Sequence, residues 1–355
     1  MEYTLLLEKI ADHYKKKLPI VVFSLPDSES ILVYLQNDKT LYTTEDFKEK
    51  SFVFAPFNYT DKAICIPEEK GVVLEADIHK ENILQMKLVI AEDISEKENY
   101  CQLVENTINA INSSKISKIV VSRNIKVSLD SFQITKLIER LFNLYPTAFS
   151  YVWYHPKTSL WCGATPELLV KTEGPSFTTM ALAGTQKYKE NIAPKWSYKE
   201  IEEQQLVVDD ISTRLQKVTA VVKISKTYNH RAASLIHLRT DITGILKKRK
   251  TTLSKITSTL HPTPAVCGTP QNLAKLFILE NEGYNREFYT GFLGPICEKD
   301  SCSKLFVNLR CMKIENDSAK LFAGAGITKT SKPKSEWIET QDKLETMLQV
   351  LQPML

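Results

Sequence analysis

An α+β fold built on large antiparallel sheet follows from three features of this 355-residue chain. Apolar runs of strand length recur from residue 19 to residue 324, separated by a few longer stretches with helical spacing. Strands and helices do not alternate strictly, which argues against a doubly wound parallel sheet. Hydrophobic residues make up 43% of the chain and charged residues 25%, so a sizeable core can form.

The elements follow in order. Residues 3–16 space Leu5, Ile10 and Tyr14 as on a helix. Residues 19–24, 31–34 and 52–56 read as strands, and residues 58–95 are the least patterned part. Residues 99–113 read as a helix, 118–123 as a buried strand and 132–144 as a helix. Strands at 148–153, 160–161, 168–172 and 177–183 are joined by short turns, as in an antiparallel sheet. A long helix is predicted over 196–217, strands over 219–227 and 234–240, and helices over 251–258 and 270–282. Strands at 287–297, 304–314 and 319–324 precede a final helix over 333–352.

Bulk properties exclude several functions. Net charge is +4, and the one basic block, Lys247 to Lys250, is too short to track a nucleic acid. No run of about 18 apolar residues could span a membrane, and Met1 to Lys17 carries acidic residues that disqualify it as a signal peptide. The seven cysteines include no CxxC pair, so neither a disulfide framework nor a zinc ribbon is indicated, and a reducing, cytoplasmic setting is expected.

The chemistry-bearing positions are few. Gly324 and Gly326 interrupt a strand-like run and read as a bare turn, and Glu336, Glu339 and Lys343 then share one helical face. Together these could seat an anion beside a hard cation. Only 11 glycines occur in the chain, so each marks a place where backbone must come close to something. Lys118 opens an apolar strand, either as a snorkelling strand end or as a base with perturbed pKa. Glu167 follows Pro166, either simply exposed or held protonated as a general acid. Gly184 and Thr185 end a strand with free backbone donors. Glu203 lies in the acidic run of the 196–217 helix, where a solvated face is the ordinary reading. Paired with Glu339 it would suit Mg²⁺. The loop from Leu260 to Pro270 is constrained by three prolines, and Arg286, Tyr289 and Arg310 add two cations and a phenol.

Taken together, the segments KIVVSR, TPELLVK, LAGT, KEIEEQQLVV, LHPTPAVCGTP, REFYTGFLG, LFVNLR and AGAGITKTSKPKSEWIETQDK resemble, in family order, the chorismate-utilising enzymes. That family includes isochorismate, salicylate, anthranilate and aminodeoxychorismate synthases. The resemblance runs from about Asn99 to Leu351 and implies the chorismate-binding enzyme fold as a single large domain. Residues 96–355 would form the catalytic region and residues 1–95 a variable N-terminal part of the same fold. It implies Mg²⁺ on Glu203 and Glu339 with Glu336 nearby. Gly184, Thr185, Gly324 and Gly326 would meet the substrate's carboxylates, and Tyr289 and Arg310 would grip the enolpyruvyl carboxylate. Lys343 would add charge beside the metal, and His237, His261 and Ala265 would face the ring. Lys118 would be the base that activates water and Glu167 the acid that protonates the departing hydroxyl.

Within the family, Lys118, Ala183 and Ala265 favour the isochorismate synthase branch over amine-adding and lyase members, with salicylate synthase as the alternative. The expected substrate is chorismate, the expected state a monomer or weak dimer, and the product would feed menaquinone or siderophore synthesis. Gln204 departs from the family's usual His, and Cys267 from a common Gly.

Overall fold

The computed structural model describes residues 1–60, 62–84, 93–190, 192–232, 235–247, 252–297 and 302–355. Within them the fold is α+β, with two large antiparallel sheets flanked by helices. In the nine-stranded sheet the Lys118–Ser128 strand lies between Gly268–Thr269 and Ser318–Ile327. The sheet continues through Cys311–Glu315, Ser159–Thr165, Phe149–His155, Ile20–Ser24 and Ser30–Gln36 to Gly71–Asp77. In the ten-stranded sheet, Leu235–Leu246 pairs with Thr219–Ile224, Tyr228–Ala232 and Ser176–Lys187. The first 95 residues supply strands to both sheets, for Ser51–Ala55 pairs with Phe292–Ile296 and Ile20–Ser24 with Phe149–His155.

The sheets face one another across an aromatic layer that includes Phe23, Phe52, Phe54, Trp153, Trp161 and Phe306. Phe149 and Phe306 stack across it at 4.0 Å. Alternation along each strand sends the other side chains outward, where helices cover them. Leu6 and Ile10, Leu137 and Leu141, and Leu344 and Met347 cover the nine-stranded sheet. Val207, Ile211 and Ile256 pack against the ten-stranded one. No helix among the described residues is long and apolar enough to cross a membrane.

The structure departs from the sequence reading at several points. Gly324 and Gly326 lie inside the continuous Ser318–Ile327 strand, paired with Ser122 and Val120, and form no turn. The predicted strand at 287–297 begins only at Phe292, because Glu287 and Thr290 take φ of 50° and 59° in a tight loop. The predicted strand at 304–314 breaks into Lys304–Val307 and Cys311–Glu315, with Arg310 at φ 46° in the bend rather than on a strand. The helix expected from residue 99 starts at Ile94, where the Asp93 carboxylate caps the amides of Ser95 and Glu96. Cys297 and Cys302 form one local disulfide, a pairing the sequence reading missed. Lys248 to Lys250 lie outside the described residues.

Candidate active site

A narrow cleft, with a cavity volume of about 70 Å³, opens between the central strands of one sheet and the Ser176–Lys187 strand of the other. Helices Tyr198–Leu215 and Pro333–Leu351 close one end with Glu203, Glu339 and Lys343.

At that end three carboxylates meet three lysines, one to one. Lys118 Nζ lies 2.9 Å from Glu203 Oε1, Lys199 Nζ 2.6 Å from Glu336 Oε1, and Lys343 Nζ 2.7 Å from Glu339 Oε1. Helix geometry sets these up, since Lys199 and Glu203, like Glu339 and Lys343, are four residues apart on one face. Lys343 also donates to the Gly324 carbonyl at 2.7 Å, which ties the helix to the glycine strand. Gly326 is a clearance. A Cβ there would stand 2.2 Å from Glu203 Oε1 and 2.9 Å from Lys118 Cε.

The carboxylates differ in their electrostatics. Burial and the neighbouring Glu339 push the Glu336 pKa up, and its Oε2 is buried with no hydrogen-bond partner. Burial works against the Glu339 carboxylate as well, but Lys343 and Lys199 outweigh it and hold its pKa below the ordinary value. Burial would lower the Lys199 pKa, yet Glu336, Glu339 and Glu203 together raise it, so it stays a cation. Because each carboxylate turns to its own lysine, no three His, Cys, Asp or Glu side chains among the described residues form a convergent ligand set. An oxygen-only donor set with one orphaned oxygen still matches a hard divalent cation in chemistry.

Glu167 stands on another wall, 3% exposed. Burial raises its pKa from 4.5 to about 7, although Thr263 Oγ1 donates to its Oε1 at 3.2 Å and Lys118, Lys343 and Arg310 all pull the other way. The proline-rich loop supplies Thr263. Gly268, at φ 137°, lets that loop pair with the Lys118 strand where a Cβ would meet the Lys118 carbonyl at 2.2 Å. Cys267, one of the two family departures, fits here as a buried residue whose carbonyl accepts from the Val120 amide at 2.8 Å.

A cation and a phenol form another part of the cleft. Arg310 has a buried Nη1 without a partner, and burial lowers its pKa to about 10, which leaves it charged at neutral pH. Tyr289 stacks on Phe322 with ring centroids 5.2 Å apart. Near them His237 Nδ1 lies 3.1 Å from the Gly184 carbonyl, an obligate acceptor, so Nδ1 carries the proton. Thr185 Oγ1 is 3.2 Å from the same nitrogen. Burial, then Arg310 and Lys343, keep the ring neutral, and Nε2 is a buried lone pair without a partner. Gly184, at φ 67°, sits at the register shift that turns its carbonyl to His237.

Gly184, Thr185, His237, Ala265, Tyr289, Arg310, Gly324, Gly326, Lys343, Glu167, Glu203 and Glu339 all line the cleft, whereas Lys118, His261 and Glu336 do not. Lys118 is fully buried and lies behind Glu203. Glu336 sits behind Lys199, at the neighbouring cavity. His261, expected to face the ring, instead bonds the Phe57 carbonyl through Nε2 at 3.1 Å and packs edge-on to Phe292. The other departure, Gln204, braces the helix by donating to the Ala181 carbonyl and Thr240 Oγ1. Sequence reasoning missed Thr263 and Lys199, though the four-residue spacing of Lys199 and Glu203 was visible. It also missed the apolar wall of Val120, Leu182, Val266, Leu309 and Phe322, which no local pattern marks.

Residues 35–352 match the family of chorismate binding enzymes. Isochorismate synthase DhbC of Bacillus subtilis is 31% identical over 275 residues, covering 73% of this chain and 69% of that one. Isochorismate synthase EntC of Escherichia coli K12 is 29% identical, covering 75% and 70%. The solved structure of MenF, the menaquinone-specific isochorismate synthase of Escherichia coli, superposes with a TM-score of 0.76. It is 22% identical and covers 94% of this chain and 88% of that one, a likeness of fold. With that match over most of its length, and a cleft built from the motifs that carry it, the chain belongs to the chorismate-binding enzyme family.

Proposed function

We propose that this protein is a Mg²⁺-dependent isochorismate synthase. It converts chorismate reversibly to isochorismate, adding water at C2 while the C4 hydroxyl leaves. The observation that carries this reading is the buried Glu167, a carboxyl on the cleft wall whose pKa burial raises from 4.5 to about 7. A departing hydroxyl needs such an acid.

Glu203 and Glu339 would hold Mg²⁺ with Glu336 alongside, and the ion would supply positive charge to the substrate's ring carboxylate. Arg310 and Tyr289 bind the enolpyruvyl carboxylate, and Lys343 contributes a further cation beside Glu339. His237 offers its Nε2 lone pair to a substrate hydroxyl. Lys118 is the base of this reading, and here it is ion-paired with Glu203 Oε1 at 2.9 Å. Ala183 and Ala265 present only methyl groups to the cleft, so neither provides a nucleophilic amine or a group to assist pyruvate loss. The close relationship to isochorismate synthases agrees with this assignment.

The test is to incubate the protein with chorismate and Mg²⁺ and to separate the products by chromatography. Isochorismate without salicylate or pyruvate is expected, and EDTA should stop its formation. Substantial salicylate would move the protein to the lyase branch, and chorismate binding without turnover would overturn the enzymatic reading.

A further inference from the structure

Arg286 does not line the cleft, yet its guanidinium holds three of the cleft's walls together. It has five N–H donors in one plane, and all five are used. Nε donates to Glu282 Oε2 at 2.7 Å, and Nη2 to Glu282 Oε1 and, at 2.7 Å, to the Val120 carbonyl. Nη1 donates to the Val266 carbonyl at 2.9 Å and to Thr290 Oγ1 at 3.2 Å. Val120, Val266 and Thr290 each line the cleft. Val120 is two residues along the strand from Lys118, Val266 follows Ala265, and Thr290 follows Tyr289.

We propose that the Glu282–Arg286 pair is a positioning device for catalysis, fixing the Lys118 strand and the Tyr289 loop at one distance from each other. Both side chains are almost wholly buried, at 1% and 2% exposure. Glu282 grips the same strand a second time, accepting from the Ser122 amide at 2.7 Å and from Ser122 Oγ at 3.0 Å. The loop it holds is strained. Thr290 is β-branched and sits at φ 59°, a conformation that persists only when its surroundings over-determine it. Its amide bond to the Asn308 carbonyl, 2.9 Å, and the bond from Arg286 do so. A buried ion pair adds little net stability over apolar residues of the same shape, so placement explains this one better than stabilisation does.

The test is Arg286→Lys, which keeps the charge but offers three donors without the plane. The kinetic arm rests on the isochorismate synthase reading, and the exchange arm does not. In the folded variant kcat should fall roughly 30- to 100-fold while KM for chorismate changes less than about threefold. Hydrogen exchange at the Val120, Ser122 and Thr290 amides should quicken, with residues 20–24 unchanged. Wild-type kcat, a loss of activity that only tracks the unfolded fraction, or unchanged exchange at those three amides would overturn the proposal. If wild-type protein forms no isochorismate, the functional reading fails and the exchange arm still decides this one. Should Arg286→Lys not fold, Thr290→Val removes the bond from Arg286 together with the one Thr290 donates to the Tyr289 carbonyl, and should lower kcat about three- to tenfold with faster exchange at Thr290. Wild-type behaviour of that variant would equally refute the device.

Discussion

Replacing Glu167 by glutamine separates the two effects of this buried carboxyl. In the folded protein burial raises its pKa from 4.5 to about 7. The folded state therefore binds this proton more tightly than the unfolded state. The resulting stabilisation is complete below the unfolded pKa and is lost as pH rises through 7. At about 1.4 kcal/mol per pH unit, that rise amounts to roughly 3 kcal/mol of stability missing at pH 8. Glutamine has nearly the same shape and cannot ionise. Paired urea titrations near pH 5 and pH 8 should show the variant gaining about 2.5 kcal/mol on wild type across that interval, the remainder being lost already below pH 5. Isochorismate formation should fall at least roughly 100-fold, with chorismate binding largely kept. Parallel stability curves for the two proteins would show that the carboxyl is not held protonated, and undiminished turnover would remove it as the acid.

Four further variants have expected outcomes. Thr263→Val deletes the hydrogen bond that favours the charged form of Glu167, so the alkaline limb of the kcat profile should move up by less than about one pH unit. A downward shift would mean that Thr263 acts some other way. Gly326→Ala should lower turnover at least about tenfold by displacing Glu203 from Lys118, the two side chains its Cβ would meet. Gly268→Ala, whose Cβ meets the backbone carbonyl of Lys118, should instead cost about 2 kcal/mol or more in thermal or urea unfolding. Wild-type turnover in Gly326→Ala, or wild-type stability in Gly268→Ala, would contradict these readings. Lys118→Met should reduce isochorismate formation roughly 100-fold or more and, by leaving Glu203 without its cation, destabilise the fold by about 3 kcal/mol. Normal product formation would exclude Lys118 as the base.

What could be read from the sequence was what periodicity controls. The Glu339–Lys343 pair followed from helical spacing alone, and most strands followed from apolar runs between turns. Arg310 was misplaced on a strand, because neither glycine nor proline from Leu305 to Leu309 breaks the apolar run. A tertiary setting forces the positive φ. The two glycines at 324 and 326 could mean a turn or a close approach, and only the packing of Glu203, Lys118 and Tyr289 against them decides for close approach. The protonated state of Glu167 was conceivable but not derivable, since it depends on burial by segments distant in the chain. An odd cysteine count hid a local pair, and nothing near His261 showed that its ring would turn to the Phe57 carbonyl.

The bond from Lys343 to the Gly324 carbonyl spans only 19 residues. The glycine strand and the acidic helix thus close a short loop at small entropic cost. The opposite wall requires Thr263 to reach Glu167 across 96 residues and Arg286 to reach Val120 across 166. Contacts over such spans carry a larger loop-closure cost and slow folding. The Gly324–Lys343 contact is thus local, but the Lys199–Glu336 pair at the same end spans 137 residues, so the cation-bearing end and the wall that bears the acid both need distant parts of the chain brought together.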